Sequence, residues 1–332
     1  MKMSCKKSWP LCFSAVLSFA LVGTAYAQSC LSGSDMDEAT RVALVNTAKR
    51  YFDMAARGDV AGLRQNAIAG LASDFSGIET AVKDNQPNFA AAQAAPRPPF
   101  LLKVEGTAPL ERAEFLCGVF GARGQTADSA VFVIPNLSPG NYGIVILDIA
   151  NAKEPHTLSF VLQQQGNDWK LGGFFLRATQ VGSHDGNWYA DRAREFKAKG
   201  QPRNAWLYYL LAQDLLSPLP FMSTMLTDKL YDESQTVKPA DLPPADLIAG
   251  GKAFKLTHLF PLSVGKDLDL VVKYQTPDVS NTSQTFQENM AVIKALVAKY
   301  PELRDAFDGV VARAVEASGR DYGSLLAMKD VK

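Results

Sequence analysis

Histidine and cysteine are scarce in this chain, and that scarcity excludes most metal chemistry. The 332 residues contain three histidines, His156, His184 and His258. None has a second His or Cys at ligand spacing, so the pattern offers no zinc or haem site and no cofactor is expected. Nucleotide-binding loops are missing as well. There is no G-x-x-x-x-G-K-[ST] run and no G-x-G-x-x-G after a strand-like segment. The G-x-S-x-G nucleophile elbow is absent too. Ser183-His184-Asp185 contains the residue types of a catalytic triad, but three adjacent residues do not build one in space, and the stretch reads as a polar linker. An excess of positive charge is also lacking. The 34 basic residues face 34 acidic ones, which gives no basic face for nucleic acid. After residue 27 no apolar run approaches the roughly 20 residues of a spanning helix.

The most informative stretch is the first 27 residues. Lys2, Lys6 and Lys7 make a basic start, residues 11–22 form an uncharged apolar run, and Ala25-Tyr26-Ala27 closes it with small residues at both ends. This is the layout of a secretory signal peptide, with cleavage expected after Ala27. The predicted compartment is therefore secreted or periplasmic. Cleavage leaves 31 basic and 34 acidic residues, a net charge of −3. Two cysteines survive it, Cys30 and Cys117. In an oxidising compartment such a pair predicts a disulfide, the alternative being a buried free Cys117 and an exposed Cys30.

Beyond the leader, the hydrophobic period divides the chain. Residues 34–57 read as an amphipathic helix with Ser34 as its cap, and Val42, Val45, Ala48, Phe52 and Ala55 on one face. Gly58 stops it and Asp59 caps a short second helix over residues 60–67. A third helix is expected over residues 73–84. Residues 90–99 hold Pro96, Pro98 and Pro99, which favour extended backbone. The period then becomes that of strands, over residues 100–105, 113–120, 130–134, 142–149, 157–164 and 169–177. Gly166-Asn167 lies where a tight hairpin needs positive φ. Helices followed by closely spaced strands imply an α+β unit built on an antiparallel sheet.

Tyr51-Phe52-Asp53-Met54-Ala55-Ala56-Arg57-Gly58-Asp59 and the closing hairpin over residues 158–176 carry a resemblance. Together they resemble the NTF2-like (cystatin-like) fold, over about residues 35–180. The resemblance implies helices packed in the concavity of a curved antiparallel sheet.

Residues 187–217 resemble one tetratricopeptide repeat, with Ala193, Phe196, Gly200, Ala205, Tyr209 and Ala212 at its small and aromatic positions. An ordinary helical hairpin is the competing reading. A lone repeat needs a neighbour to bury its face, and residues 220–231 are a candidate. After a Pro- and Gly-bearing linker over residues 238–251, a small α+β domain is expected. Its predicted strands lie at 253–259 and 268–275, its helices at 284–299 and 303–318, and a last strand at 322–328. The expected organisation is thus a leader (1–27), an NTF2-like domain (28–180), a helical hairpin region (187–235) and a small α+β domain (250–330).

Two functional classes follow. The first is a non-catalytic binding or scaffolding protein of the cell envelope, recognising a protein partner or a small apolar ligand. Trp206, Tyr208 and Tyr209 are the candidate interaction surface, since exposed aromatics mark interfaces. The second rests on the fold resemblance. NTF2-like proteins include isomerases and hydrolases that use acid–base residues in a cone-shaped pocket, which makes Tyr51, Asp53 and Asp74 the candidates.

Overall fold

Asp37 starts the first helical layer. Its carboxylate accepts a hydrogen bond from the Thr40 amide at 2.8 Å and caps α1, Glu38–Ala56. The cap therefore lies beyond Ser34, because a 3-10 turn, Gly33–Asp35, occupies that stretch. Gly58, at φ +71°, ends the helix in the left-handed region. Asp59 then accepts from the Gly62 amide at 2.8 Å and caps α2, Val60–Gln65. Helices α3, Ala69–Ser73, and α4, Ser76–Phe89, complete the layer. The computed structural model describes residues 28–120, 124–150 and 154–332. The leader read from residues 1–27 lies outside the described residues.

Eight strands accompany these helices. They are β1 (Gln28–Ser32), β2 (Gln93–Pro96), β3 (Phe100–Val104), β4 (Leu110–Cys117), β5 (Ala130–Leu137), β6 (Gly140–Ala150), β7 (His156–Gln165) and β8 (Asp168–Ala178). One antiparallel sheet has the order β1-β3-β6-β7-β8, with β2 beside β6. The β7–β8 turn holds Gly166 at φ +61°, as the sequence predicts. Strands β4 and β5 form a second sheet. The first sheet is thus covered on both faces. Its helical face buries Leu44, Phe52, Phe89, Phe160 and Leu171. Its other face packs Leu102 and Ile144 against Phe115 and Phe132 of the second sheet.

A short pair, β9 (Gln180–Val181) and β10 (His184–Asp185), leads into a helical hairpin of α5 (Gly186–Ala198) and α6 (Pro202–Leu216). Gly186 permits close approach, since a Cβ there would stand 2.9 Å from the Ala212 carbonyl oxygen. The chain then returns to the first unit. β11 (Met222–Thr224) adds antiparallel to β5, and Leu219 joins the core between the two sheets. α7, Met225–Gln235, follows.

The last sheet has the order β12-β13-β14-β15-β16, with ranges Ala245–Ala249, Lys252–Val264, Asp267–Gln275, Gly309–Val315 and Asp321–Ala327. α8, Thr282–Lys299, crosses from β14 to β15, which pair in parallel. Two sequence expectations are corrected here. The predicted helix over residues 303–318 is a 3-10 turn, Pro301–Asp305, followed by β15. Val310, Ala312 and Ala314 alternate into the core, and the run fills a central strand position where period 2 governs. The predicted linker over residues 238–251 contains β12, because Leu247 and Ala249 are buried at the sheet edge. The helical hairpin and this sheet share one core. The chain is therefore α+β, with mostly antiparallel sheets. Among the described residues no helix is long and apolar enough to cross a membrane.

Candidate functional site

The sequence-predicted acid–base residues are not brought together. Tyr51 is fully buried, and its hydroxyl donates to the Trp169 carbonyl at 2.9 Å. Burial pushes its phenol above the usual range. Asp53 lies two positions along α1, off the face that Tyr51 buries, and is exposed, as is Asp74 before α4. Between α1 and the sheet stand Leu44, Ala48, Phe52, Phe160 and Leu162. Hydrocarbon fills the space where the enzymatic reading needs a carboxylate.

The aromatic cluster on α6 also differs from the surface that was expected. Tyr208 and Tyr209 are buried and Trp206 is half-buried against the same core. α6 is covered by α5 on one side and by the C-terminal sheet and the turn before β15 on the other. The Tyr208 hydroxyl donates to the Ala306 carbonyl at 2.6 Å. Burial lifts the phenols of Tyr189 and Tyr209 to about 12. Tyr208 thus ties the hairpin to the turn before β15, whereas Tyr209 sits beside Arg194 of α5 and Glu233 of α7.

Cys30 and Cys117 are joined, with Cα atoms 5.2 Å apart. That is within the roughly 4.4–6.8 Å that disulfides span. The bond ties β1 to the end of β4. The histidines stay separate. His156 lies near the Glu154 carbonyl and the Asn88 amide. His184 stacks on Trp188 at 3.7 Å, while Asp185 turns away to cap α5. Among the described residues no group of three or more His, Cys, Asp or Glu side chains is placed to hold a metal.

Two features of the C-terminal sheet remain, and sequence reading did not find either. The first is a bare face. α6 and α8 meet the sheet through Leu256, Leu270, Val272, Tyr274, Val310 and Ala312, all in one core. The alternate residues point the other way. In register, Phe260 pairs with Val271, Val271 with Val311, and Val311 with Leu325. This makes one apolar row across four strands, in which Val271 is buried at 1% exposure and Phe260 and Val311 are half-buried. Leu325 is 51% exposed, and Leu262 beside the row is 44% exposed.

The second feature is a cleft of about 710 Å³ at the edge of that face. It opens where β13 parts from β14. Beyond the Leu256–Tyr274 pair, β13 continues with β12 only, while Gln275 pairs with Val315. Lys255, His258 and Lys273 line the opening. A bulge between Leu256 and His258 keeps His258 on the open face beside Lys273. The two acids in the wall are already engaged. Glu288 meets Lys252 at 2.7 Å. Glu316 meets Arg320 at 2.6 Å and accepts the Val279 amide at 2.7 Å. A smaller cleft, of about 490 Å³, lies between the first unit and the hairpin, but its cation Arg97 is already bound to Asp148 through two nitrogens.

Compared with protein-family models, with curated proteins and with solved structures, the chain matches none of them.

Proposed function

We propose that this chain is an exported binding protein that meets its partner with the bare face of its C-terminal sheet. The observation that carries this reading is the row Phe260–Val271–Val311–Leu325, which closes over a buried Val271 and opens at Leu325, with exposed Leu262 beside it. Apolar surface gathered on one face marks an interaction site. The rest of the molecule suits a supporting role. The core of the first unit is filled with side chains, and the α6 aromatics are spent on internal packing. On this reading the first unit is an NTF2-like scaffold and the hairpin a tetratricopeptide-like brace. The leader layout and the Cys30–Cys117 bond support export. Recognition rather than turnover fits the separation of Tyr51 from Asp53 and Asp74.

Photo-crosslinking in the native cell tests the reading. A photoreactive phenylalanine at Leu325 is compared with one at Tyr231, an exposed position on α7. An adduct formed from position 325 and not from 231 is expected. No adduct at 325, or the same adducts from both positions, refutes the reading.

A further inference from the structure

The cleft and the bare face adjoin, and their chemistries are complementary. Among the described residues neither Lys255 nor Lys273 forms an ion pair, since the acids in the cleft wall are bound elsewhere, although Asp246 of β12 stands directly opposite Lys255 in the ladder. The ladder also sets like charges against each other. Lys273 lies directly opposite Arg313 on β15. Like charges facing across a ladder are destabilising. Arg313 is met by Asp321 at 2.6 Å, which leaves Lys273 uncompensated. One pleat repeat further along each strand, about 7 Å away, lies the apolar row. The Lys273 ammonium already leans toward it, 5.6 Å from the Phe260 ring centroid. Four strands at about 4.8 Å spacing make that row roughly 14 Å long, the span of a medium-length alkyl chain.

We propose that this site binds a single anionic amphiphile. Its carboxylate or phosphate head sits in the cleft between Lys255 and Lys273, and its apolar body lies along the accessible parts of Phe260, Val311 and Leu325, across the buried Val271. The inference rests on the docking role of the bare face and narrows it to a ligand class. Charge-assisted contacts hold the head, and the sheet supplies the apolar area.

Calorimetric titration of the purified chain tests it, with decanoate, decyl phosphate, decanol and inorganic phosphate as probes. Binding of decanoate or decyl phosphate is expected, and the tighter of the two identifies the head. Decanol and inorganic phosphate should each bind at least tenfold more weakly than that probe. Lys255→Ala with Lys273→Ala should weaken the amphiphile at least tenfold and leave decanol unchanged. Lys255→Arg with Lys273→Arg should keep the affinity within a few-fold. Failure of both amphiphiles to bind, decanol binding as tightly as the amphiphile, or an unchanged affinity in the alanine pair overturns the proposal. Failure here together with a specific adduct at position 325 would overturn the ligand class and leave the docking role standing.

Discussion

Removing the Cys30–Cys117 bond should loosen the first unit and spare the last sheet. The bridge closes a loop with a sequence separation of 87 that contains all four helices of the first layer. The chain-entropy relation for a loop of that length gives about 4–5 kcal/mol of stabilisation through the unfolded state. At about 2–4 °C per kcal/mol for a unit of this size, the melting temperature should fall by roughly 10–15 °C. The native contacts of β1 remain, because its five residues stay paired with β3. Fluorescence can separate the two parts. Trp169 is buried in the first unit, whereas Trp188 and Trp206 belong to the hairpin and its core. In a Trp9→Phe/Trp188→Phe/Trp206→Phe background, emission reports the first unit alone. The assay is thermal unfolding of the oxidised chain against the Cys30→Ala/Cys117→Ala chain. Trp169 emission and the far-ultraviolet dichroism of the remainder are followed together. Early melting of the first unit, with the second transition in place, is expected. An unmoved Trp169 transition, or equal movement of both, refutes the argument that the bridge acts locally through loop closure.

Two further outcomes follow from packing and burial. Gly186→Ala should destabilise the hairpin by about 1–3 kcal/mol, because the new methyl would stand 2.6 Å from Leu216 Cγ and 2.9 Å from the Ala212 oxygen. Urea unfolding measures this, and an unchanged midpoint would show that α5 and α6 do not approach so closely. At alkaline pH, Tyr189 and Tyr209 should resist ionisation to about 12, first because burial disfavours the charged phenolate. Both are raised above the ordinary 10.0, so the stability they contribute is present below pH 10 and is lost as pH climbs through about 12. Tyrosinate absorbance should rise together with loss of dichroism between pH 10 and 12. Full titration near pH 10 with the fold intact would contradict the burial.

Much of the fold was legible because local rules and tertiary packing agree. Asp59 and Gly58 carry their helix boundary in their own chemistry, and the α2 cap forms where Asp59 predicts it. Gly166 marks its hairpin for the same reason. The short apolar runs of β6 and β7, bounded by turn residues, read as strands, and they are continuous because both faces of that sheet are packed. Legibility failed where a run fits two periods. Val310-Val311-Ala312-Arg313-Ala314-Val315 suits a helix face as well as a pleat, and only its place between β14 and β16 selects the strand. The aromatics of α6 carried no sign of burial, since a Tyr on a helix looks the same under a sheet or in water. The cleft was invisible for a related reason. Lys255, His258 and Lys273 are unremarkable in sequence, and strand register and a bulge bring them to one opening.

By itself, the chain's order of residues determined the class of most elements in the first unit, several of its turns and caps, and the Cys30–Cys117 pair as a candidate bond. These depend on neighbours within a few positions, or on counting. Tertiary structure alone decided which face of each element is hidden. It packed the hairpin onto the last sheet, filled the core of the first unit with hydrocarbon, and left Leu325 and Leu262 exposed on a face where Lys273 has no ion pair among the described residues. Burial and charge balance are sums over distant parts of the chain, so they exist only once those parts have met.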